Sequence, residues 1–232
     1  NRLRDKIMAG LLLAAALYSY PPSRAYIPLM LPFLFLLDAK RQGFSKKAML
    51  GFILSLILPC IPLVQKTISG ELQGRFNNIS ITSPAYLKSI HKTASIPDLI
   101  QVFAANYATQ FTPEFLIKKG DPSYVHSTRH FGIFGWLDLL GFFALFIFII
   151  LGSITKNLDV NKDKWVLLFL TLNFFLSIVP AGLTNSELPN SLRIINGWPF
   201  TCILAGYGLW QLSKRWSGIL LITALVGGIF AY

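Results

Sequence analysis

Apolar runs set the rhythm of this chain. Residues 7–20, 26–37, 48–64, 131–154, 165–183, 198–212 and 217–232 are almost free of charge, and polar segments separate them. A membrane-spanning helix needs about 20 apolar residues, at about 1.5 Å each across a hydrocarbon core of about 30 Å. The expected fold is therefore an all-α integral membrane protein with seven spans, since a helix satisfies its own backbone polar groups in lipid. The first two runs are short for that task. Pro21-Pro22 between them ends one helix before Arg24 opens the next, so their hairpin is expected to lie low in the interface.

One segment breaks the rhythm. Residues 65–130 form the one long hydrophilic stretch. It divides a single membrane domain into three spans (1–64), a long loop (65–130) and four spans (131–232). Residues 38–47 carry Lys40, Arg41, Lys46 and Lys47, and the excess of basic residues in cytosolic loops makes this loop an inner one. Alternation then puts 65–130 and 184–197 on the extracytoplasmic face, with a bacterial or archaeal plasma membrane as the expected setting. Inside the long loop, Asn77-Asn78-Ile79-Ser80 reads as a turn, and Asn78-Ile79-Ser80 is formally a glycosylation acceptor. Two helical pieces are expected between residues 83 and 110. The second carries Ile96, Leu99, Ile100, Phe103 and Tyr107 at helical spacing on one face, and starts at Ser95-Ile96-Pro97-Asp98.

Composition agrees. The 232 residues are 53% hydrophobic and 13% charged, with a mean hydropathy of +0.56, whereas a soluble domain carries roughly 25% charged residues. The formal net charge of +11 is spread over short runs between apolar segments. That suits anionic headgroups better than nucleic acid, which calls for a continuous basic face. Cys60 and Cys202 lie in apolar runs with no second Cys or His at metal-ligand spacing, and read as small buried hydrophobes. The chain opens on Asn1-Arg2-Leu3-Arg4 with no initiator Met and no signal peptide, which reads as the basic inner flank of a span. It is expected to be the later part of a larger protein.

The chemistry concentrates at residues 111–130. Phe111, Phe115 and Leu116 are apolar anchors, Gly120-Asp121-Pro122 is a turn signal, and Lys118, Lys119, His126 and Arg129 gather beside the next span. Arg and Lys suit phosphate oxygens by charge and donor number. A juxtamembrane cluster touching anionic lipid is the plainer account. Arg24 and Arg193 also sit where spans begin, and each reads as a snorkelling cation or as a phosphate ligand. Asp138 is the one acid inside an apolar run. It is either partnered in the membrane or interfacial.

Three stretches together resemble the later half of type C glycosyltransferases, the many-spanning family that includes protein O-mannosyltransferases and lipid A aminoarabinose transferases. They are Tyr18-Ser19-Tyr20-Pro21-Pro22-Ser23-Arg24; then Phe111-Thr112-Pro113-Glu114-Phe115-Leu116, Gly120-Asp121-Pro122 and His126-Ser127; and finally Leu188-Pro189 to Leu192-Arg193 with Pro199-Phe200. Their order and spacing carry the likeness, which covers nearly the whole chain. It implies transfer of a sugar from a polyprenyl-phosphate carrier to an acceptor glycan, lipid or protein on the outer face. It also implies an acid in a first outer loop that this sequence does not contain. Glu114 and Asp121 remain candidates for an acid, each equally suited to a cap or a salt bridge with the adjacent lysines. Lys118, Lys119, His126, Arg129, Arg24 and Arg193 are the candidate ligands of the lipid phosphate. No carboxylate cluster offers itself to a divalent metal, and no cofactor is called for.

Two other readings compete. A transporter or flippase of a polar lipid would put charges in mid-span and pair its broken helices; the spans here carry little charge and show no repeat. A non-catalytic membrane subunit would bind a partner through the long loop.

Overall fold

The computed structural model describes residues 2–42, 45–71, 73–155, 160–185 and 188–215. Among them the secondary structure is helical, with no strand beyond one isolated bridge between Ser80 and Thr184. The chain divides into two compact units. The first comprises Asn1–Ala108 with Val179–Ser186, and the second Thr109–Ile178 with Glu187–Tyr232. The expected seventh span, 217–232, lies outside the described residues.

In the first unit, α1 (Arg2–Ser19), α2 (Pro21–Gln42) and α3 (Lys46–Ile68) form an up-down-up set. The start of α1 and the end of α2 extend beyond their apolar runs, and there Lys6 and Asp38 pair at 2.6 Å. Pro21 and Pro22 open α2, where the missing N–H is harmless. Pro28 and Pro32 lie within it and deny two carbonyls their usual helix donor. Helices α1 and α3 run side by side because Gly10 and Gly51 remove side chains from the seam. A Cβ at Gly10 would stand 2.7 Å from the Phe52 carbonyl, and one at Gly51 would stand 2.8 Å from Leu3. Such close approach of small residues is the usual way that helices associate in lipid.

The segment after α3 differs from expectation at two points. The polar turn at 77–80 is the end of a helix, α4 (Gln73–Ile79). Within the glycosylation triplet Asn78 is exposed, while Ser80 is 2% exposed and its hydroxyl bonds Thr82 at 2.8 Å. After α5 (Pro84–Ser89), α6 (Ile96–Thr109) starts as expected: the Asp98 carboxylate accepts from the Thr93 N–H at 2.9 Å. The Thr93 hydroxyl and amide together hold the Asp98 carboxyl down to about 2. The buried face, however, is turned from the expected one. Val102 and Asn106 are buried, while Ile96 and Ile100 are 74% and 62% exposed. A polar contact decides the rotation, for the Asn106 amide donates to the Thr184 carbonyl at 2.7 Å. Residues 183–185 lie along 78–81 through Ile81 N–H to Leu183 O, Asn185 N–H to Ile79 O, and the Asn185 amide to the Asn78 and Ser80 carbonyls.

In the second unit, α7 (Trp136–Thr155), α8 (Val160–Gly182, in this unit to Ile178) and α9 (Trp198–Arg215) repeat the arrangement. Gly141 and Gly208 form the seam of α7 and α9, and a Cβ on Gly208 would overlap the Gly141 carbonyl. Ala144, Leu145, Phe148, Leu167, Leu170 and Leu204 form the core. The expected span 131–154 begins late. Residues 131–135 are not helical; Gly132, Ile133 and Phe134 donate to the carbonyls of Ile117, Phe115 and Leu116 at 2.9–3.2 Å. Asp138 accepts the Gly135 N–H at 3.0 Å in the first turn of α7.

Among the described helices, α3 and the stretch Asp163–Gly182 of α8 are long and apolar enough to cross a membrane. The others are shorter in their apolar part or carry charge at one end, so the expected seven spans are not all alike. Leu50, Ile53, Leu54, Ile57, Leu58, Ile61 and Val64 leave one long side of α3 exposed, as Phe143, Phe146, Ile147, Ile149 and Ile150 do on α7. Soluble monomers rarely carry apolar faces of this extent.

Candidate functional site

The site is built in the second unit around residues 109–134 and 188–197. Phe111 packs on Phe174 and Phe175 of α8, with centroids 6.5 and 5.9 Å apart. Pro113 then opens a π-helical turn, Glu114–Lys118, whose wide spacing appears as the Lys119 N–H donating to the Glu114 carbonyl at 2.6 Å. Phe115 from this turn is 1% exposed. Gly120, at φ 72°, ends the turn where any side chain would stand 2.6 Å from the Phe131 carbonyl and 2.8 Å from the Ser127 hydroxyl.

Asp121 follows and is 1% exposed. Its Oδ1 accepts the Ser123 N–H at 2.8 Å, and its Oδ2 accepts the Ser191 N–H at 2.7 Å and hydroxyl at 2.8 Å. Gln110 is fully buried, and its Oε1 accepts the Asn190 N–H at 3.1 Å. Asn190 Oδ1 in turn accepts the Arg193 N–H at 3.1 Å, at the start of the 3-10 helix Leu192–Gly197. Two loops that lie 70 to 80 residues apart in sequence are thus tied by a buried carboxylate and a buried amide. Three donors on the Asp121 carboxylate and one on the Gln110 amide oxygen satisfy these buried acceptors. Gly197 closes the arrangement against the Ser177 hydroxyl of α8.

The cations sit on these tied loops. Lys118 pairs with Glu114 at 3.3 Å, both exposed, and Lys118 draws the Glu114 carboxyl below its usual range. Lys119 is exposed and His126 half-buried. The Arg129 guanidinium lies over the Tyr124 ring, 4.9 Å from its centroid. Arg193 is half-buried in the 3-10 helix. Lys118, Lys119, His126, Arg129 and Arg193 therefore belong to one linked pair of segments. Arg24 belongs to the first unit, where its Nε donates to the Leu17 carbonyl at 3.1 Å. Of the two candidate acids, Glu114 is held ionised by its lysine, and Asp121 is a clasp between loops. Among the described residues, no three His, Cys, Asp or Glu side chains gather as a metal would require.

The clasp partners Gln110, Asn190 and Ser191 did not stand out in the sequence. Their one local signal is the Asn190-Ser191 pair ahead of a helical turn, a capping pattern that names no distant partner. Comparison with protein-family models, curated proteins and solved structures finds no match for this chain.

Proposed function

We propose that this chain crosses the membrane seven times and that its outer loops bind a polyprenyl-phosphate-linked sugar for transfer to an acceptor. The observation that carries the reading is the clasp of Asp121 and Gln110 on residues 190–191. Two of the three stretches that resemble type C glycosyltransferases lie on the segments it ties together, and so do five of the six candidate phosphate ligands. The exposed apolar sides of α3 and α7 support the membrane setting.

In such a transfer the bond between the sugar's anomeric carbon and the phosphate oxygen breaks, and the phosphate keeps the electron pair. The acceptor oxygen forms the new bond and gives its proton to a base. Lys118, Lys119, His126, Arg129 and Arg193 would stabilise the charge growing on the departing phosphate. Arg24, in the first unit, is a separate candidate ligand of a lipid phosphate. Glu114 is a weak base because the Lys118 hydrogen bond lowers its carboxyl pKa, and Asp121 has its acceptors engaged. The acid-base group is assigned to neither.

The test uses membrane vesicles containing the intact protein and a labelled polyprenyl-phosphate sugar. The Arg24→Ala, Arg193→Ala double variant should insert normally and lose transfer by at least about tenfold, as expected for two charge-assisted contacts. Full transfer by that variant would overturn the assignment.

A further inference from the structure

The second unit holds two apolar side chains out from a loop that is otherwise fixed. Tyr124 is 77% exposed and Val125 84% exposed, the latter the highest value of any large hydrophobic among the described residues. The loop beneath them is not loose. Ser123 N–H is held by Asp121 at 2.8 Å, the Ser127 hydroxyl donates to the Lys119 carbonyl at 3.2 Å, and Arg129 N–H donates to the Ser127 hydroxyl at 3.0 Å. Gly120 allows this base to close against Ser127 and Phe131. A rigid base that presents a bare Tyr-Val tip has already met the ordering cost of whatever the tip enters.

We propose that the Tyr124–Val125 tip seats in the headgroup region of the outer leaflet and that the cations around it bind anionic lipid phosphates. Charge selects this occupant. Arg129 rests on the Tyr124 ring at 4.9 Å, so guanidinium and ring share one depth. Lys118 and Lys119 stand at the foot of the same loop, and His130 follows Arg129. An aromatic ring with a polar tip, beside guanidinium and ammonium groups, has the make-up of a membrane-interface contact. Position agrees: α7 starts at Trp136, which is 49% exposed, and residues 132–134 are bonded to the turn that precedes the loop. The inference rests on the membrane setting proposed above, but not on sugar transfer.

The test places an environment-sensitive fluorophore on Val125→Cys in the intact protein, with Cys60 and Cys202 replaced by Ala. The protein is reconstituted in vesicles of phosphatidylcholine with or without phosphatidylglycerol. The probe should emit as in a lipid interface, be quenched by lipids brominated near the headgroup, and be shielded from aqueous iodide. Arg129→Glu should reduce the lipid quenching in phosphatidylglycerol vesicles. A Val125 probe open to iodide and untouched by brominated lipid overturns the proposal, and so does shielding that appears only when another protein is added. A control probe on Leu58→Cys, on the exposed side of α3, separates the failures. If it too is open to iodide, the membrane setting fails and the tip with it. If it is shielded while Val125 is open, only the tip fails.

Discussion

The two units solve the same packing problem with different interiors. Each sets its first and third helices side by side on a glycine seam, Gly10 and Gly51 in one, Gly141 and Gly208 in the other. The helices of the first unit meet through apolar contacts, Ala14, Phe52, Leu56 and Cys60, with the Lys6–Asp38 ion pair at one end and the Tyr18 hydroxyl donating to the Pro59 carbonyl at 2.6 Å at the other. The second unit buries polar groups throughout. Gln110, Asp121, Asn173 and Ser177 are at most 1% exposed, and Thr201 and Gln211 are 6% and 4% exposed. Gln211 donates to the Tyr207 hydroxyl at 2.8 Å, which donates to Asp163 at 3.2 Å. Apolar packing is enough to assemble helices. Buried polar pairs specify which loop meets which: Asn106 with Thr184 in the first unit, and Gln110 and Asp121 with residues 190–191 in the second, where the candidate site is built.

Substitution at the seams should have the largest effect, and it should be alike in both units. Gly208→Leu and Gly10→Leu each force a side chain into backbone, so each should cost about 3 kcal/mol or more or abolish the folded state. Reversible unfolding in mixed detergent measures this. A seam that accepts leucine at under about 1 kcal/mol would break the likeness between the units.

The clasp should separate them. Asp121→Ala leaves the Ser191 and Ser123 amides without their buried acceptor and should cost about 3 kcal/mol. Asp121→Asn keeps one acceptor oxygen and should cost less. Both should loosen residues 188–193 in hydrogen exchange while leaving exchange in α1–α3 unchanged. The closest counterpart in the first unit is Asn106, a neutral amide on one carbonyl. Asn106→Leu should cost about 1 kcal/mol and disturb exchange at residues 183–185.

These pairs also mark the limit of what the sequence discloses. The helices are legible because hydropathy is a local property. The Pro21-Pro22 hairpin, the start of α6 at Ser95 and the Gly120 turn each follow from a residue's own backbone preference. The inward rotation of α6 onto Asn106 runs against apolar periodicity, because a 2.7 Å bond to Thr184 decides it. Likewise Asp121 reads as a candidate acid, a cap or a partner of the adjacent lysines, and only the fold reveals Ser191 as its partner. Residues 131–135 are apolar enough to read as helix, yet the amides of residues 132–134 are taken by residues 115–117 and that of Gly135 by Asp138.

The smallest expected effect is a pH dependence at the start of α6. Thr93 holds the Asp98 carboxyl at about 2, against 3.8 when unperturbed. A carboxyl depressed in the folded state stabilises it fully above the unfolded value and loses that contribution as pH falls through the folded one. The start of α6 should therefore loosen between about pH 4 and pH 2. Asp98→Asn should remove this dependence at residues 93–100 in hydrogen exchange, with residues 109–134 unaffected.

The account turns on the tied loops of the second unit as the place where a lipid phosphate binds. The most direct measurement is photo-crosslinking of the intact protein in vesicles, with a polyprenyl phosphate carrying its photoreactive group next to the phosphate, followed by mapping of the labelled peptides. The account predicts labels within residues 111–130 and 188–193, competed by unlabelled polyprenyl phosphate and weakened by Asp121→Ala. Labels spread along the helices and competed equally well by phosphatidylglycerol would contradict it.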